Sequence, residues 1–142
     1  MKTNIFKYIY NYFFCLRYPF YRVRNVWTDK FMGYDHTLYD HIPEGWRKAF
    51  GKQLSKELKK QLKKDNQLKT FRFSQIKEKY GTLRLYNFGC SEECMKLLDK
   101  YEKLSKEYCI YCGKKVKYKT EGYVLYLCEE CFEEYTKKIV DL

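Results

Sequence analysis

The chain has 142 residues, of which 45% are hydrophobic and 20% aromatic, and that length bounds it at one real core plus a small appended module. Its formal net charge of +11 argues against a basic partner and for a polyanionic one: nucleic acid, a nucleoprotein complex or an acidic protein surface. The bland alternative is that lysines keep an aromatic-rich chain soluble. The charge is lopsided: residues 1–70 hold 15 Lys/Arg against 6 Asp/Glu, and residues 71–142 hold 14 against 12.

In the first segment, Ile5, Ile9, Tyr12 or Phe13, and Leu16 follow helical spacing, and Pro19 stops the run. This predicts an amphipathic helix. Three readings stay open for it. It can pack into the core. Its aromatics, interleaved with Lys7, Arg17, Arg22 and Arg24, can contact nucleic acid or a partner. It can also lie at a membrane surface. The run is too short to span a bilayer. It also has neither a clean apolar stretch nor a small-residue cleavage site, so a secretory signal is not expected.

Residues 27–42 read as irregular and carry the only two histidines, in Asp35-His36 and Asp40-His41. A spacing of five is poor for one helical face, so turn or cap roles are expected rather than catalysis. Pro43 then suits the first turn of a helix of about 20 residues, with Asp40 or His41 near its cap. Trp46, Phe50, Leu54, Leu58 and Leu62 recur every four residues. The other faces hold Arg47 and Lys48, then Lys52, Lys56, Lys59, Lys60, Lys63 and Lys64, against the single acid Glu57. This is either a solvated lysine face or a contact surface for phosphates or an acidic partner.

Residues 71–88 read as a hairpin turning at Tyr80-Gly81, with Gly81 free to take positive φ. A shift in the inward phase places a bulge near Ser74-Gln75. Lys77, Glu78, Lys79 and Arg84 gather at one end. They form either a cross-strand ion-pair set or a cationic tip that stacks through Tyr80 and Tyr86. Ser91 caps the next helix, whose expected buried stripe is Met95, Leu98, Tyr101, Leu104 and Tyr108. That helix is expected to brace the segment that follows it.

That segment contains Cys109-Ile110-Tyr111-Cys112-Gly113 and Cys128-Glu129-Glu130-Cys131. Two C-x-x-C pairs with fifteen residues between Cys112 and Cys128 form a strong zinc signal. Knuckle, short hairpin and a helix carrying the last two ligands make a treble-clef arrangement. Phe132, Tyr135 and Ile139 share one face of that helix. Four thiolates close the coordination sphere, so the predicted zinc is structural. Four thiolates and one divalent ion bring the formal charge nearer +9. Cys15, Cys90 and Cys94 are left over as reduced packing cysteines, which points to a reducing, cytoplasmic setting rather than a disulfide framework.

Together these readings predict an α+β fold. Three helices surround a small antiparallel hairpin in residues 1–108, and a treble-clef-like zinc module in residues 109–142 packs on them. The stretch from Gln75 to Tyr86, with Pro43-Glu44-Gly45-Trp46 before it and Ser105 to Cys131 after it, resembles the signature of a family of small, uncharacterised phage and prophage proteins. The resemblance covers roughly residues 35–131. It implies a phage-type origin, action in the host cytoplasm and an accessory role, and it implies no reaction.

Three functions follow from the residues. The first is non-enzymatic binding of nucleic acid or a nucleoprotein complex. The second is a protein–protein inhibitor or adaptor acting on a host enzyme or defence complex. The third is a metal-dependent nuclease, which needs a His-rich strand–helix element between the knuckles, and residues 112–128 contain no histidine. The oligomeric state is left open.

Overall fold

The computed structural model describes residues 4–141. They form an α+β fold with four long helices and two small antiparallel sheets. Helix α1 is Ile5–Arg17. Helix α2 occupies 44–64 as three consecutive pieces: an α turn at Glu44–Trp46, a π turn at Arg47–Gly51 and α-helix at Lys52–Lys64. Helix α3 is Glu92–Leu104 and α4 is Glu129–Val140. Strand β1 (Phe73–Lys79) pairs with β2 (Thr82–Asn87), and β3 (Tyr118–Lys119) pairs with β4 (Tyr126–Leu127). The expected count of three helices is corrected to four. The C-terminal segment is a full helix of 12 residues, with Glu129 and Glu130 at its positive end and Lys137 and Lys138 at its negative end.

Helix α2 is the spine. Trp46, Phe50, Leu54, Leu58 and Leu62 are all buried, as their spacing requires. Each buried leucine contributes about 2 kcal/mol of transfer free energy. A strict four-residue repeat drifts about 40° per step around an ideal α-helix. The wider π turn takes part of that drift back, so one stripe stays inward over five residues. The Ser55 hydroxyl, one turn further on, donates to the carbonyl of Gly51 at the end of this turn. The buried Tyr21 hydroxyl lies 2.8 Å from the same Ser55 oxygen. Pro43 sits one position earlier than expected, at the N-cap of α2.

The hairpin matches its expectation closely. Tyr80 and Gly81 take φ values of 54° and 79° at a two-residue turn, and the register shifts between Phe73 and Gln75. In α3 the buried stripe is Cys94, Leu98 and Tyr101, while Met95 is exposed. The expected stripe was one position off at its start, because the Ser91 cap fixes the phase and turns Cys94 inward. The helix proper ends at Leu104, so Tyr108 lies beyond it and is half-buried.

Helix α1 departs most from its pattern. Ile5, Ile9, Tyr12, Phe13 and Leu16 are all exposed; Ile5 keeps 67% of its surface and Phe13 62%. The opposite face goes inward through Asn11, Phe14 and Cys15. Phe14 stacks on Tyr21, and Tyr21 stacks on Phe73. The Asn11 amide donates to the Tyr34 carbonyl at 2.8 Å. Apolar residues recur on both faces of this helix, and packing in the aromatic cluster selects the face that carries the polar Asn11.

Candidate functional site

The four-cysteine cluster is assembled by three local devices. Around the first knuckle, the Gly113 amide donates to the Cys109 carbonyl at 2.9 Å, and Gly113 has φ +82°. The β3–β4 pair then brings the chain back. Cys128 is the N-cap of α4, and its sulfur accepts the Cys131 amide at 3.4 Å. All four sulfurs of Cys109, Cys112, Cys128 and Cys131 lie within 4.8 Å of one another, and no other group of three or more potential ligands gathers among the described residues.

Bonds of about 2.3 Å to one tetrahedral zinc put sulfurs about 3.8 Å apart, so the donor set fits such an ion. Burial raises the Cys109 thiol. The backbone amides of Cys128, Cys112 and Tyr111 outweigh that effect and hold its pKa below the usual thiol value. Burial and neighbouring thiols push Cys128 and Cys131 upward. A divalent cation at this position would stabilise the thiolate form of its cysteine ligands.

The knuckle rests on helix α2, which was missed as a brace. The Gly45 amide donates to the Ile110 carbonyl at 2.9 Å, and the Trp46 indole donates to the Tyr108 carbonyl at 3.0 Å. A Cβ at Gly45 would stand 2.1 Å from the Cys109 carbonyl oxygen. Glycine is needed there because two backbones touch. The available signal was a glycine in the first turn of a strongly patterned helix.

The cationic residues divide into three groups. Lys52, Lys56, Lys59, Lys60, Lys63 and Lys64 share α2, and among the described residues none of them makes an ion pair. The one acid of that stretch, Glu57, is taken by Lys100 at 2.8 Å and by the Tyr101 hydroxyl. Lys59 lies over the Tyr18 ring beside Arg17. Its pKa is lowered by burial, and then by the like charges of Lys63 and Arg17. Burial raises the Glu57 carboxyl, but the bonds from Lys100 and Tyr101 bring it below the usual carboxylate value.

At the hairpin, the ion-pair set is not what forms. Glu78 accepts the Gly81 amide at 2.6 Å and the Tyr123 hydroxyl at 3.0 Å. Lys77 stands opposite Arg84, like charge to like charge, and lies over Tyr86. Lys79 lies over Tyr80, which is 72% exposed. Arg22 and Arg24 belong to neither group. They line a cavity with Arg72, which the sequence reading did not single out.

The histidines serve the turn. Asp40 accepts the Thr37 amide at 2.8 Å, and the rings of His36 and His41 stack 5.4 Å apart. Burial pushes the thiols of Cys15, Cys90 and Cys94 upward, which makes them poor nucleophiles. No described helix is long and apolar enough to cross a membrane. Comparison with family models, curated proteins and solved structures gives no match for this chain.

Proposed function

We propose that this protein is a non-enzymatic, phage-type accessory protein of the host cytoplasm that binds nucleic acid or a nucleoprotein complex, with one zinc ion in the four-cysteine site for structure. The observation that carries the reading is the α2 face. Six lysines project from Lys52–Lys64 and make no ion pair among the described residues, while Glu57, the one acid of that stretch, faces α3. Keeping like charges together is unfavourable, and a polyanion reverses that cost. Tyr80 and Tyr86, each beside a lysine, add stacking surfaces at the hairpin.

Titration of labelled DNA and RNA at several salt concentrations tests this. The expected result is a fall of log affinity with log salt, with a slope of about −0.7 to −0.9 per phosphate contact and little dependence on sequence. No binding of any free polynucleotide at low salt overturns it.

A second reading, an inhibitor or adaptor acting on a host enzyme or defence complex, is favoured by a different observation. Helix α1 leaves Ile5, Phe6, Ile9, Phe13 and Leu16 outside the core, and a contiguous apolar face suits a protein partner. Capture of one host protein that survives nuclease treatment supports that reading over the first.

A further inference from the structure

A cavity of about 340 Å³ lies between the segment after α1 and the start of β1. That size is within the range of small-ligand pockets. Three guanidinium groups line it, from Arg22, Arg24 and Arg72, against one carboxylate, Asp29. Asp29 is engaged: its side chain pairs with the Arg72 Nε at 3.3 Å, and its carbonyl accepts from the Arg24 Nη1 at 3.2 Å. Arg22 makes no ion pair among the described residues. The Nε atoms of both Arg22 and Arg24 are buried and have no hydrogen-bond partner. The Nε atoms of Arg47 and Arg84 share that state elsewhere in the molecule; what sets this cavity apart is three guanidinium groups against one already engaged carboxylate.

Four phenylalanines also line it. Phe20, Phe71 and Phe73 are buried, and Phe88 is exposed. The outer wall is a preformed loop. Asn25 accepts the amides of Trp27 and Thr28, Asp29 takes a left-handed φ of 57°, and Arg24 bridges Phe31.

We propose that this cavity binds one nucleoside phosphate, its phosphate on Arg22 and Arg24 and its base against the exposed ring of Phe88. Three arginines and one aspartate leave the lining with an excess of two positive charges, and a phosphomonoester carries about −1.5 to −2 at neutral pH. Guanidinium forks match phosphate oxygens, and aromatic faces take any base. A lone phosphate would leave the exposed Phe88 ring unused. The inference deepens the nucleic-acid reading and rests on it for the ligand class. The source is either a free mononucleotide or one unit of a single strand.

Amide and arginine Nε–H signals of the full chain, followed by two-dimensional NMR, test it. The probes are nucleoside 5′-monophosphates, the unphosphorylated nucleosides, inorganic phosphate and a short 5′-phosphorylated oligonucleotide. The Arg22 and Arg24 Nε–H signals should shift and saturate with the monophosphate, or with the oligonucleotide alone if the unit belongs to a strand. Arg22→Gln and Phe88→Ala should each weaken this about tenfold while keeping a dispersed spectrum. A variant with Lys56, Lys59, Lys60 and Lys63 all changed to glutamine should retain the mononucleotide shift.

Unmoved Arg22 and Arg24 signals at millimolar monophosphate and oligonucleotide overturn the proposal, and so does inorganic phosphate binding as tightly as the nucleotide. An oligonucleotide that binds without moving these signals ends the pocket proposal and leaves the α2 face standing.

Discussion

The lysines of α2 and those of the C-terminal half are the same residue in two electrostatic situations. In the second half, Lys96, Lys103, Lys114 and Lys117 each sit within 4.0 Å of a carboxylate, at Glu92 or Glu93, Asp99, Glu130 and Glu129 respectively. Such exposed pairs are worth little in stability, but they cancel field. Along Lys52–Lys64 of α2 no lysine makes an ion pair among the described residues, and Glu57 is spent on α3 through Lys100. Counting charges along the chain gives a balance; pairing in three dimensions decides where the potential is left over. Lys96 and Lys103 are spent within α3, and Lys114 and Lys117 on the two glutamates beside the metal-type cluster. The α2 face keeps its cations for something else.

The largest expected effect breaks the C-terminal side of this contrast. Chelation, or Cys128→Ser with Cys131→Ser, should remove on the order of 10 kcal/mol of metal-linked folding free energy from the module. One equivalent of zinc should be lost with it. Calorimetry and metal analysis read both, and an unchanged melting transition contradicts the centre. Next is Gly45→Ala, which drives a methyl group into the Cys109 carbonyl. It should cost about 3 kcal/mol in chemical denaturation, and a cost near zero denies that α2 braces the knuckle.

Glu57→Gln sharpens the other side. It should cost about 0.5 kcal/mol, since the partly exposed Lys100 pair is lost while the amide still accepts from Tyr101. Polyanion affinity should stay the same or rise slightly, and a marked fall would mean that Glu57 belongs to the contact surface. Because the folded-state pKa of Glu57 is lowered, its share of stability is present above the unfolded carboxylate value and is lost as pH falls through the folded one. In Glu57→Gln the acid limb of a stability–pH curve should therefore flatten.

Much of this was legible in the chain. The α2 stripe, the Tyr80-Gly81 turn, the bulge and the cysteine spacing each rest on a local rule with one strong signal, and each appears as expected. The inward face of α1 was not legible. Both faces of that helix are aromatic, and only the ring cluster of Phe14, Tyr21 and Phe73 decides between them. The start of the α3 stripe was missed because a small cysteine competed with a larger methionine for the inward position. The Arg22–Arg24–Arg72 cavity could not be read either, since it joins residues about 50 apart in the chain. Nor could the π turn, which reveals itself only as an overly regular four-residue repeat.

The most direct test compares two variants of equal charge. One changes Lys56, Lys59, Lys60 and Lys63 to glutamine; the other changes Lys96, Lys103, Lys114 and Lys117. Binding of a fluorescent single-stranded oligonucleotide is followed by anisotropy from low to high salt. The α2 variant should lose binding at physiological salt, and its salt slope should fall by about 3 to 4. The paired-lysine variant should bind nearly as the unchanged protein does. Equal loss in both variants, or no loss in the first, would contradict the claim that the uncompensated α2 face is the contact surface.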